Sequence, residues 1–202
     1  MTDVEKFKTI NLEVLPISKI EILLSKHLNS KSLNYRSRIR QVLLNHLSKK
    51  KPSLLNDISL LNLDHPPICP EYTISISHNR SASGFALGPS SVNVGFDLEE
   101  IARISEPLIK RISSKEEIAQ TPHPKSLFSA KEATWKACSS AHLIPTISNI
   151  QTSNWKELKN QWFEFQAHYN DKILPGKGYT IEFDQLILAI FIGPAPLKLR
   201  QP

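Results

Sequence analysis

Apolar positions along the chain change their spacing several times, and each change marks an element. Between residues 16 and 29 (PISKIEILLSKHLN), Ile20, Leu23, Leu24 and Leu28 fall on one helical face. A second helix is expected over residues 32–50, where Ile39, Leu43 and Leu47 recur at four-residue spacing with Val42 beside them. Pro52 ends it after the Lys49-Lys50-Lys51 run. Residues 64–71 (DHPPICPE) are proline-rich and read as loop. The period then drops to two: in YTISISH, Ile74 and Ile76 alternate with Ser75 and Ser77, as the faces of a strand require. Phe85 to Leu87 is its hairpin partner, and SSVNVGFDLE is a further strand.

The middle turns helical. Ser105 before Glu106-Pro107 makes an N-cap with proline in the first turn. Ser113 and Ser114 stand three residues before Glu116 and Glu117, two overlapping capping-box patterns. After the TPHP loop, residues 125–141 are rich in good helix formers. Beyond Pro145 the pattern is that of strands, at 162–169, 178–183 and 186–192. Helices, strands, helices, strands predict an α+β fold with two similarly built halves, each a small antiparallel sheet with a packed helix.

Composition narrows the picture. With 202 residues, 40% of them hydrophobic, the chain can bury a core without metal or disulfide support. Its two cysteines, Cys69 and Cys138, form no CxxC pair, which argues against a disulfide framework or a structural zinc and suits a reducing cytoplasm. No apolar run approaches the ~20 residues of a membrane span. The MTDVEKFK start carries charge where an export signal needs an apolar core, so a cytoplasmic location is expected. Lysine and arginine outnumber acids 25 to 19, a net charge of +6 that favours anionic partners without choosing among them.

Candidate chemistry comes in fragments. Asp97 and Glu99 are two apart on a strand, so their carboxylates share a side, and Gly95 on that side leaves room for a close approach. Magnesium suits such a pair, because it takes one or two carboxylates together with water and substrate phosphates. The plain alternative is a surface acidic pair answered by Arg103. Glu132 and Lys136, four apart on a helix, are either an ordinary surface ion pair or a carboxylate and a cation aimed at metal and phosphate. Lys131 adds charge beside them. His78 at a strand end reads first as structural, and Arg36, Arg38 and Arg40 as the solvated face of a helix.

Taken in order, SISHN, VGFDLEE and FSAKEATWKA resemble the three-part signature of the phosphopantetheinyl transferase superfamily: SxSH, GxDxE and (W/F)SxKExxxK. The matching residues are Ser75, Ser77 and His78; Gly95, Asp97 and Glu99; and Phe128, Ser129, Lys131, Glu132 and Lys136. Length and the extra N-terminal helices are similar to the longer, monomeric, Sfp-like type. The resemblance implies two halves related by a pseudo-two-fold, divided near Gly88-Pro89-Ser90, with the active site in the cleft between residues 1–89 and 90–202. It implies transfer of the 4′-phosphopantetheine arm of coenzyme A to a serine of an acidic acyl or peptidyl carrier protein, with release of 3′,5′-ADP. Asp97, Glu99 and Glu132 would hold magnesium, and Glu132 or a metal-held water would take the serine proton. Lys136 would contact the phosphates and assist the leaving oxygen, with Asp97 and Glu132 completing the catalytic set. Ser77, His78, Lys131 and Lys136 would bind coenzyme A phosphates, and Arg40 its 3′-phosphate. Glu117 matches a further acidic position whose role is open.

Two departures stand out. Longer members carry a Gly-Lys-Pro element before SxSH; here DHPPICPE offers His65-Pro66 and no lysine, so coenzyme A would be held either less tightly or by another residue such as Lys51. Leu98, between Asp97 and Glu99, offers no further ligand. Two rivals remain: a non-catalytic coenzyme A or carrier-binding module, and a basic nucleic-acid-binding protein. The second is disfavoured because aromatics make up only 7% and no recognition motif is present.

Overall fold

The computed structural model describes residues 8–10, 19–26, 34–56, 58–138 and 144–195. Their order is β1 (Lys8–Ile10), β2 (Glu21–Ser25), α1 (Tyr35–Lys50), β3 (Tyr72–His78), β4 (Ser83–Pro89), β5 (Val92–Glu100), α2 (Glu106–Ile112) and α3 (Lys115–Gln120). There follow α4 (Ser126–Cys138), β6 (Ile150–Glu157), β7 (Phe163–Tyr169), β8 (Lys172–Ile173), β9 (Lys177–Phe183) and β10 (Leu186–Pro194). The fold is α+β on two antiparallel sheets, ordered β1-β2-β4-β3 and β5-β10-β9-β7-β6, with β8 against β7. All described strands before residue 90 belong to the first sheet and all later ones to the second, so the turn at Ser90-Ser91 joins the two. Among the described residues, no helix is long and apolar enough to cross a membrane.

Each sheet has its helix. Ile39, Val42, Leu43 and Leu47 of α1 are buried against Leu23, Phe85 and Leu87. On α4 the inward residues are small, Ala130, Ala133 and Ala137, and they pack on Ala189 and Phe191 of β10. Ser105 caps α2, its Oγ accepting from Leu108 N; of the two overlapping patterns before α3 only that of Ser114 forms a cap, its Oγ accepting from Glu117 N, while Ser113 ends α2 and the Glu117 carboxylate turns to Lys131 and Thr152.

One expected helix is a strand. Within 16–29, residues Glu21–Ser25 form β2; residues 16–18 and 27–29, including Leu28, lie outside the described residues. Ile22 and Leu24 enter the core shared with Phe96 and Leu98, while Leu23 points oppositely into the α1 core. A strand buried on both faces presents an unbroken apolar run, which spacing alone does not distinguish from a buried helix. Strands β1 and β6 were not expected either. In β6 only Ile150 and Thr152 are buried, too few to print an alternation.

The two sheets meet edge to edge, β3 beside β5, and the polar face of β3 seals the seam. Thr73 Oγ1 donates to Val92 O (2.5 Å), Ser75 Oγ accepts from Phe96 N (2.9 Å), and Ser77 Oγ accepts from Leu98 N (3.2 Å). Asn79 Nδ2 then donates to Leu98 O at 3.2 Å. Every second side chain of β3 thus satisfies backbone groups of β5 that no neighbouring strand pairs, which a buried edge requires. The serines of SISHN are therefore interior, although their alternation with isoleucine could equally describe a solvent face.

Candidate functional site

The seam is also where the three sequence fragments meet. Gly95, Asp97 and Glu99 face α4, and a Cβ on Gly95 would lie 1.8 Å from the carbonyl oxygen of Ala133. What approaches Gly95 closely is the backbone of this helix, not a ligand. That contact seats α4 low on β5 and brings Lys136 to Asp97, with Nζ 2.7 Å from Oδ1. Ser77 donates to the same Oδ1 at 3.0 Å, and Lys136 Nζ also reaches Phe96 O at 3.2 Å. Asp97 is 3% exposed, and its Oδ2 is buried without a hydrogen-bond partner among the described residues.

A cavity of about 460 Å³ opens beside this cluster, lined among others by Arg36, Arg40, His78, Trp135 and Lys136, with Asp64 as the acid in its wall. Arg40, on the buried side of α1, donates from Nη2 to His65 O at 2.6 Å, and its Nη1 is buried with no hydrogen-bond partner among the described residues. Burial lowers its pKa, a cost that a bound anion would offset. His78 is pushed below the ordinary histidine value by burial, with Arg36 and Lys136 adding to the effect. It is therefore neutral at pH 7. Tyr35 Oη accepts from Arg36 Nε at 3.1 Å and lies 3.4 Å from His78 Nε2. A second cavity of about 710 Å³ adjoins the first across Trp135 and Lys136 and is lined by Ile68, Tyr72, Ile144 and Pro145.

The carboxylates sit uneasily together. Burial pushes Glu99 up to about 7, reinforced by the charge of Asp97 and opposed by Arg103, whose Nη1 lies 3.9 Å away. Glu132 is also raised, first by burial; Lys136 opposes the shift and Asp97 adds to it. Buried acids that repel one another, one with an orphaned oxygen, match in kind the hard-oxygen donors of magnesium. No three His, Cys, Asp or Glu side chains among the described residues form a ready-made metal cluster, and Lys136 supplies the cation at Asp97.

The structure thus gathers Ser77, His78, Asp97, Glu99, Glu132, Lys136 and Arg40 about one seam. It does not bring Lys131 there. That side chain is 1% exposed and points into the protein, donating to Glu117 Oε2 (2.8 Å) and Ile112 O (2.7 Å). Lys51 likewise bonds Glu71 and does not line the cavity, whereas His65 and Pro66 do. Three lining or supporting residues went unread as such: Tyr35, Arg36 and Trp135. Of these, Arg36 carried a signal, lying four residues before Arg40 and so on the same helical face. Compared with known proteins, the chain matches no family model and no curated sequence.

Proposed function

We propose that this chain transfers the phosphopantetheine arm of coenzyme A to a serine hydroxyl of an acidic carrier protein, releasing 3′,5′-ADP. What carries the reading is the convergence of SISHN, VGFDLEE and FSAKEATWKA: Ser77, Asp97 and Lys136 are hydrogen-bonded together, and of these Lys136 lines the cavity that Arg40 and His78 also line.

In this reading Arg40, with its unpartnered Nη1, takes the 3′-phosphate, and Lys136 takes the pyrophosphate. His78, neutral and fixed by Tyr35, orients the ligand and adds no charge. The serine oxygen forms the new bond to phosphorus as the bond to the 3′,5′-ADP oxygen breaks. Glu132, or a water that the metal would hold, accepts the serine proton. Lys136 neutralises charge on the departing oxygen. Magnesium on Asp97, Glu99 and Glu132 would neutralise the pyrophosphate and relieve their mutual repulsion. One chain supplies every one of these groups, and a monomer working in a reducing cytoplasm fits the composition. The test is chromatographic detection of 3′,5′-ADP. Release that requires enzyme, carrier and magnesium together supports the proposal, whereas coenzyme A binding without release would leave a binding module.

A further inference from the structure

Lys131 and Glu117 form a buried ion pair that the mechanism leaves unused. Glu117 Oε1 accepts from both Thr152 N and Thr152 Oγ1, each at 2.7 Å, and Oε2 accepts from Lys131 Nζ at 2.8 Å. Lys131 also donates to Ile112 O at 2.7 Å, the last turn of α2. Their side chains are 1% and 5% exposed. Four elements, α2, α3, α4 and β6, are therefore tied at one point by a network with most of its polar capacity satisfied. Burying such a pair gains little stability over an apolar pair of the same volume, and its best-attested use is to fix a register. The register at stake here is the rotation of α4 about its own axis. Where that helix meets the sheet its buried apolar side chains are Leu127 at the start and then Ala130, Ala133 and Ala137, so few large side chains interlock to fix its rotation. Lys131 directly precedes Glu132, and Trp135 and Lys136 follow one turn later on the side of the cavities.

We infer that Lys131 and Glu117 are positioning residues: their ion pair locks the rotation of α4 and so aims Glu132, Trp135 and Lys136 at the seam, and Lys131 does not touch the ligand. The inference deepens the transferase reading and rests on it only for its consequence for turnover.

The test is the double variant Glu117→Gln/Lys131→Met, which keeps volume, leaves no unpaired charge and retains an acceptor for Thr152. The indole of Trp135 reports the helix directly, since its Nε1 donates to Ile144 O at 3.0 Å. The chain has three tryptophans, so amide correlation spectra of labelled protein resolve their indole signals. We expect the Trp135 indole resonance to move or broaden and that of Trp162 to stay. Turnover should fall about 30-fold or more, as small misplacements of reacting groups do, with coenzyme A affinity within about threefold. Thr152→Val, which removes one bond to Glu117, should show the same pattern more weakly and serves if the double variant does not fold. An unmoved Trp135 signal in folded protein overturns the inference. So does lost coenzyme A affinity with that signal in place, which would put Lys131 on the ligand. If the unaltered chain shows no transfer, the proposed function fails by itself, and the Trp135 signal still decides the role of the pair.

Discussion

Gly95→Ala isolates the contact that builds the site. The added methyl would lie 1.8 Å from Ala133 O, 2.5 Å from Ala137 N and 2.9 Å from Ala133 C, all backbone of α4. Cβ atoms do not approach heavy atoms within 3.0 Å, so the helix must withdraw by at least 1.2 Å. No rotamer change relieves this, because the obstruction is the body of the helix. A gap of that size forfeits about half of the dispersion between α4 and the sheet, where Ala130 and Ala133 are fully buried. Overpacking typically costs about 1–3 kcal/mol, and moving a whole helix belongs at the upper end. The 2.7 Å bond between Lys136 and Asp97 opens at the same time. We expect urea denaturation followed by circular dichroism to show a loss of about 3 kcal/mol, with transfer abolished. Adding Ala133→Gly should give no rescue, since the obstructing atoms are main chain. A Gly95→Ala protein within about 1 kcal/mol of the parent and still active would refute the argument.

Three further outcomes follow from other parts of the seam. Arg40→Ala should weaken coenzyme A binding about tenfold or more and leave dephospho-coenzyme A nearly unaffected; equal losses for both in calorimetry would remove the 3′-phosphate from Arg40. Ser75→Ala strips the buried Phe96 N–H of its only side-chain acceptor at the seam and should cost about 1–3 kcal/mol by denaturation, whereas an unchanged midpoint would mean the edge is satisfied otherwise. Glu99 stands near 7 when folded and at 4.5 in a model peptide, so between these values the native state holds a proton that the unfolded chain releases. Stability without metal should therefore fall as pH rises through that window. Glu99→Gln should remove the slope, gaining at most about 3 kcal/mol at pH 8 and nothing near pH 4, and parallel profiles for the two proteins would contradict the assignment.

Much of the architecture was legible because periodicity and burial agree in α1 and β3, where one apolar face meets one core. Two-sided burial gives an unbroken apolar run instead: in β10 that run is strand-sized and reads as a strand, whereas β2 carries apolar residues to two cores and mimics a helix, and β6 buries only Ile150 and Thr152. The site shows the same limit. Asp97, Glu132 and Lys136 could be read from spacing and resemblance, since each is fixed on its own element. The direction of Lys131 could not, because it depends on Glu117 and Thr152, which reach it from distant parts of the chain. Gly95 was read as room for a close approach, and the packed helix shows that what approaches is the backbone of α4.

The most direct measurement is the intact mass of an apo carrier protein after incubation with this chain, coenzyme A and magnesium, with and without chelator. The account predicts a gain of one phosphopantetheine that chelator abolishes and that Asp97→Ala, folded but altered at the seam, does not produce. An unchanged mass across several carriers, with coenzyme A still bound in the Arg40 cavity, would contradict it.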